Sequence, residues 1–132
     1  MPTPVKRILS CVGLRGDCDQ VLIKSVCLAQ ALGAELHVLH AVKSLSEDVM
    51  TTLRANIRER RALETLVQQR LDQARENLDT RLDDFWERTP FVDPKARQCV
   101  TATAVVEGYP ASEIIRYATR HDCEMIVMAT NK

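Results

Sequence analysis

The chain has few glycines and few aromatic side chains, and it has no excess charge of either sign. Its 132 residues include 4 glycines, 2 phenylalanines, 2 tyrosines and 1 tryptophan, and 18 basic side chains balance 18 acidic ones. Without a net charge or a basic patch, binding to nucleic acid or to an anionic membrane is not expected. The sequence also lacks an apolar run of about 20 residues, which a membrane-spanning helix needs, and the apolar core of a signal peptide. We therefore predict a cytoplasmic protein.

The five cysteines lack the spacing of a metal site or a redox pair. There is no Cys-x-x-Cys pair and the number is odd, which favours buried free thiols. Cys18, near a predicted helix N-terminus that would favour a thiolate, is the one candidate for a reactive thiol. His37 and His40 lie three residues apart on one predicted strand, so they face opposite sides and cannot share a metal ion. His121 is expected to contact the last carbonyl groups of a helix.

Strand-like and helical patterns alternate along the chain, which predicts a single domain over residues 1–132. Apolar and β-branched runs predict strands over residues 5–12, 35–42, 98–107 and 125–129. Helices are predicted over residues 18–32, over the long region of about 45–88, and from Pro110 onwards. Short connections and right-handed crossovers then give a doubly wound, Rossmann-like α/β fold, with a parallel sheet and helices on both faces.

Two of the helices have patterns that predict how they pack. The helix over residues 18–32 is apolar around most of its circumference and should be well buried, with Asp17 as its N-cap. The helix that begins at Pro110 has an apolar stripe on one side. The stripe consists of Ala111, Ile114, Ile115 and Ala118.

The region of about 45–88 contains neither proline nor glycine, and a Ser44-x-x-Glu47 capping box precedes it. A helix of roughly forty residues would be about 60 Å long, about twice the diameter of a small domain. We therefore expect either two helical pieces or one long bent helix, with a weak point at residues 58–61. The apolar spacing is nearer 3.6 than 3.5 residues, which favours packing on the sheet over a coiled coil. A surface for a partner protein is the alternative.

Four segments together resemble the universal stress protein family. They are residues 8–12, 28–42, 106–115 and 122–129, and they include Leu-Gly-Ala-Glu-Leu and Glu-Gly-x-Pro-x-x-x-Ile motifs. The match covers nearly the whole chain in the family's order. The resemblance implies a strand order of 3-2-1-4-5, frequent dimerisation and a stress-linked regulatory role. In one branch of the family it also implies ATP bound where strands 1 and 4 part.

The candidate binding site is the carboxyl edge of the sheet, where open α/β sheets bind their ligands. Arg15 could meet a phosphate there, and the backbone of Ala41 and Val42 could flank a purine. The alternative is that the glycines after strand 1 only make a turn and that Arg15 is solvated. The candidate residues are Val12, Gly13, Leu14, Arg15, Ala41, Val42, Gly108, Met128, Ala129, Thr130 and Asn131.

The chain departs from the ATP-binding members of this family at two places. Gly13 stands where those members have the carboxylate of an Asp-Gly-Ser-like turn. Residues 129–132, Ala-Thr-Asn-Lys, occupy the positions of a glycine-rich phosphate loop. We therefore predict that ATP or AMP binds weakly or not at all.

Three functional classes compete. We favour a non-enzymatic stress-response module that acts through partner contacts. An ATP-using enzyme is disfavoured because the Ser-Gly-Gly-x-Asp-Ser and His-x-Gly-His patterns are missing and no Ser/His/Asp set is positioned by the sequence. The third class is a scaffold protein built on the long helix, over residues 54–87.

The last predicted strand would form an edge of the sheet if the order were 3-2-1-4. Its sequence, Met-Ile-Val-Met-Ala, is nevertheless hydrophobic on both faces, as expected of an interior strand. We therefore expect either that the natural chain continues past Lys132 or that something covers this edge. The candidates are a homodimer, strand exchange and the long helix.

Overall fold

The described part of the chain alternates strands and helices in the predicted order. The computed structural model describes residues 4–13, 18–42, 60–89 and 94–129. The elements are β1 (Arg7–Cys11), α1 (Cys18–Leu32), β2 (Glu35–Val42), α2 (Arg60–Arg88), a 3-10 helix (Pro94–Cys99), β3 (Val100–Glu107), α3 (Pro110–Arg120) and β4 (Met125–Met128). The predicted bounds of α1 and β2 agree to the residue.

The four strands form a parallel sheet in the order β3-β2-β1-β4, which confirms the predicted fold class. Strand β1 is central, since Leu9 lies opposite His37 of β2 and opposite Ile126 of β4. Strand β3 pairs with β2, with a register shift between Leu36 and His37. All four strands therefore end at the same carboxyl edge.

The two faces of the sheet are covered unequally. Right-handed crossovers from β1 to β2 and from β2 to β3 put α1 and α2 on one face, and the return from β3 to β4 puts α3 on the other. The face under α1 and α2 holds the larger core, which includes Ile8, Leu36 and Val38. On the α3 face the fully packed residues are Leu9, Leu39 and Ala118. Helices thus lie on both faces, as predicted.

Helix α1 buries only one of its sides. Val21, Leu22, Val26 and Ala29 are buried in the core, whereas Cys27, Leu28 and Leu32 are exposed. The prediction that this helix is well buried is therefore wrong for Leu28 and Leu32, because they lie on an arc of the helix that faces solvent.

Helix α2 packs its C-terminal half against α1 and the sheet. Ala74, Leu78, Leu82 and Phe85 are buried at helical spacing, and Phe85 meets the ring of Trp86 edge to face at 5.0 Å. At 29 residues, α2 is about 44 Å long. Residues 43–59 and the cap at Asp17 lie outside the described residues. The expected break at residues 58–61 and the capping box at Ser44 therefore stay predictions.

Helix α3 begins at Pro110 as predicted, with Tyr109 as an N-cap that makes no side-chain hydrogen bond. Ile114 and Ala118 pack towards the sheet, but Ile115 is 63% exposed. The predicted stripe is therefore partly wrong, since Ala111 is exposed as well and Ile115 is rotated by about 100° from Ile114 around the helix axis. Among the helices described, none combines the length and the apolar character needed to cross a bilayer.

Candidate functional site

At the carboxyl end of β1, the backbone of Val12 is already hydrogen-bonded on both sides. Its N–H donates to the carbonyl of Leu39 at 3.0 Å, and its own carbonyl lies 2.8 Å from Nδ1 of His40. The His40 ring must donate in this contact, because a carbonyl oxygen only accepts. Val12 is buried and Gly13 is exposed. Of these two predicted site residues, Gly13 is therefore the accessible one.

The ends of β2 and β3 are tied together at Gly108. The N–H of Gly108 donates to the carbonyl of Val42 at 3.0 Å, so one of the groups predicted to flank a purine already accepts a hydrogen bond. Gly108 has a φ of 152°, and an added Cβ would lie 2.8 Å from Cγ of Glu113. This turn therefore requires glycine and packs against the first turn of α3.

The end of β4 is more open. Met128, which lies opposite Cys11 of β1, is 49% exposed, and Ala129 is exposed as well. Leu14, Arg15, Thr130 and Asn131 lie outside the described residues. The structure thus brings the other seven predicted residues to one edge, and their role in binding stays a prediction. They are Val12, Gly13, Ala41, Val42, Gly108, Met128 and Ala129.

Two carboxylates flank Gly108 at this edge. Glu107 lies 3.7 Å from the guanidinium of Arg70 on α2, and Glu113 lies 3.3 Å from that of Arg116. Both carboxylates are largely buried. Sequence reasoning missed Glu113, although an acidic residue in the first turn of a helix is the usual complement to the helix dipole. Among the residues described at this edge, two carboxylates balance two guanidinium groups, so these four side chains supply no net positive charge for a triphosphate.

The thiols near this edge are not activated. Burial, followed by the nearby Cys123, raises the pKa of the Cys11 thiol to about 11. Burial also raises the pKa of the Cys18 thiol, although Arg81 acts in the opposite direction. Cys18 is 2% exposed, which agrees with the interpretation of the cysteines as buried thiols, whereas Cys27 is exposed and contradicts it. In the described ranges, no three His, Cys, Asp or Glu side chains are grouped to hold a metal ion.

Comparison with known families decides the identity of the fold. The model of the universal stress protein family matches residues 4–132. The chain belongs to the universal stress protein family. Among curated proteins, none matches it significantly in sequence.

Solved universal stress proteins share this architecture. UspA from Lactobacillus plantarum is 18% identical with a TM-score of 0.63, and the match covers 99% of this chain and 81% of that one. A family member from Burkholderia pseudomallei is 20% identical with a TM-score of 0.59, covering 98% of this chain and 85% of that one. At such identities the likeness concerns the fold alone.

One further structural neighbour was solved with a ligand. It is a universal stress protein in complex with cAMP, 14% identical with a TM-score of 0.57, and the match covers 95% of this chain and 76% of that one. The neighbours of this universal stress protein therefore include a nucleotide complex on the same fold.

Proposed function

We propose that this universal stress protein is a non-enzymatic, cytoplasmic regulatory module of one domain. It acts through contacts with partner proteins and binds ATP or AMP weakly or not at all. The observation that supports weak nucleotide binding is that the carbonyls of Val12 and Val42 already accept hydrogen bonds from His40 and Gly108. Because Gly13 also brings no carboxylate to the edge, the described residues offer a nucleotide few groups to bind.

Calorimetric titration with ATP and with AMP tests this proposal. We expect no saturable heat at micromolar protein and ligand concentrations, because the carbonyls of Val12 and Val42 are bonded within the protein and Gly13 replaces the carboxylate of the ATP-binding members. A universal stress protein known to bind ATP, titrated in the same buffer, controls for detection. A dissociation constant in the low micromolar range for this chain would contradict the proposal.

Two alternative functions remain. The first is an ATP- or AMP-binding stress protein that uses the cleft between strands 1 and 4, and the neighbour solved with cAMP favours it. The second is an assembly protein that uses the long helix, and the polar, exposed outer side of α2 favours it. Saturable nucleotide binding supports the first. Loss of self-association when exposed residues of α2 are changed supports the second.

We also propose that the protein forms a homodimer through β4. Within the described ranges β4 pairs with β1 alone, so its other edge presents unpaired backbone groups. Ile126 and Met128 are 39% and 49% exposed on this strand. A second copy that adds its own β4 would cover these side chains and pair the open edge.

The change Ile126→Lys tests the dimer. Wild-type protein should have twice the monomer mass of 14.9 kDa by light scattering, and the variant should have the monomer mass, because a charge at a paired edge opposes association. The matched control is Leu32→Lys, which changes an exposed apolar residue of α1 on the opposite face. A monomeric wild type, or a dimer that tolerates Ile126→Lys, would refute this interface.

A further inference from the structure

A cluster of three aromatic rings connects the C-terminal end of α3 to the sheet. The cluster lies at the amino edge of the sheet, opposite the candidate site. Nδ1 of His37 on β2 lies 2.8 Å from the hydroxyl of Tyr117 on α3. The rings of Tyr117 and His121 stack with centroids 3.9 Å apart, and the His37 ring meets both edge to face. Nδ1 of His121 lies 3.1 Å from the Tyr117 carbonyl and donates to it. His37 is only 8% exposed, whereas Tyr117 and His121 are half-buried.

Two carboxylates, of Glu35 and Asp122, and two guanidinium groups, of Arg7 and Arg120, lie near His37, so the described surroundings have no excess negative charge to offset a proton on its ring. Arg7 lies on β1, and Nε of Arg7 is paired with the Glu35 carboxylate of β2 at 2.9 Å. A guanidinium nitrogen of Arg7 also lies 3.5 Å from the carbonyl of His121. Strand β3 contributes uncharged residues. A surface depression lies beside the His37 ring, and Cys123 lies just beyond it. The other residues that line the depression are Arg7, Glu35, Thr101, Ala102, Arg120, His121 and Asp122.

Helix α3 depends on this cluster because its apolar attachment is small. The fully packed residues on its face are Leu9, Leu39 and Ala118, whereas α1 and α2 share a much larger core on the other face. A polar contact therefore makes up a larger share of the attachment of α3 than it would for α1 or α2.

We propose that His37, Tyr117 and His121 form a proton-operated latch. The latch holds the C-terminal end of α3 on the sheet while His37 is neutral, and it loosens when His37 takes up a proton. A charged His37 would lie beside His121, with ring centroids 5.8 Å apart, and close to the Arg7 guanidinium. Protonation would also make Nδ1 of His37 a hydrogen-bond donor to the oxygen of Tyr117. The hydroxyl proton of Tyr117 would then need a new acceptor.

The direction of the pH effect follows from the burial of His37. Burial, and then His121, lowers the pKa of His37 below its ordinary value of about 6.5. The unfolded chain then binds this proton more readily than the folded one, so the stabilisation is full above about pH 6.5 and is lost as the pH falls through the folded pKa. Because α3 begins at Pro110, beside Gly108, acidification would also loosen the helix that borders the candidate site.

Nuclear magnetic resonance on the intact protein tests the latch. Imidazole titration of the wild type should give His37 a pKa below the ordinary histidine value of about 6.5. Amide exchange at residues 114–118, corrected for the intrinsic effect of pH, should become several-fold faster between pH 7 and pH 5. The variant His37→Gln, whose amide can bond Tyr117 but cannot titrate, should lose this acceleration. The matched control His40→Gln should keep it.

Either of two results would overturn the proposal. One is a wild-type His37 that titrates at or above about 6.5, the ordinary value for histidine. The other is an acceleration at residues 114–118 that is the same in His37→Gln as in the wild type. Should His37→Gln not fold, the wild-type titration and exchange decide alone, because neither requires a substitution.

Discussion

Replacing Phe85 with alanine is expected to destabilise the protein by about 3–5 kcal/mol. Among the described residues, Phe85 is the largest fully buried side chain, and it lies where α2 meets α1 and the sheet. Its removal would leave a cavity in the larger core and would end the edge-to-face contact with Trp86. Because small proteins have a free energy of unfolding of only about 5–15 kcal/mol, this one change would remove a large part of it.

Urea denaturation at neutral pH measures this loss. Glu76→Ala, at an exposed position of the same helix, is the matched control and should change the free energy of unfolding by no more than about 0.5 kcal/mol. If Phe85→Ala does not fold, Phe85→Leu should fold with a smaller loss, since it keeps part of the buried volume. A loss below about 1 kcal/mol for Phe85→Ala would show that α2 is not packed as described.

The change Gly108→Ala is expected to cost about 1–3 kcal/mol, because the φ of 152° at this position is strained for any residue with a side chain. The new Cβ would also lie 2.8 Å from Cγ of Glu113. Glu113 is flexible and can turn aside, at the expense of its ion pair with Arg116. Backbone strain should therefore account for most of the loss.

Two further variants separate strain from contact. The double variant Gly108→Ala with Glu113→Ala removes the close contact and should recover only a small part of the stability. Gly33 also has a positive φ, 63°, but open space surrounds its Cβ position. Gly33→Ala should therefore lower the free energy of unfolding by roughly 1–2 kcal/mol, the strain of a left-handed backbone conformation alone. Full recovery in the double variant would show that the contact, and not the backbone, requires glycine.

The fold was predictable because its determinants are local. Gly33 ends α1, and the apolar run after it starts β2, so both bounds follow from neighbouring residues. The family resemblance supplied the strand order. Exposure was harder to predict, because a hydrophobic pattern shows which residues are apolar and not which arc of a helix meets the sheet. Leu28, Leu32 and Ile115 were misplaced for this reason.

The edge that carries the candidate site was predictable from topology, but its chemistry was not. Parallel strands place their ends together, so the sequence located Gly13, Val42 and Gly108 at one edge. The bonds from His40 to Val12 and from Gly108 to Val42 depend on register and ring orientation, which spacing does not specify. Likewise, His37 and Tyr117 are 80 residues apart, and no local pattern links them.

The central position of β1 has a consequence for the growing chain on the ribosome. Strand β1 is made first, yet one of its two edges is filled by β4, whose Met125 lies 114 positions after Cys11. At about 5–20 residues per second, translation of that interval takes roughly 6–23 s. During this time the centre of the sheet has an open edge, which is a template for wrong pairing with another nascent chain. Chaperone binding to the nascent chain should therefore be concentrated before residue 125 is made, and should fall once β4 can dock.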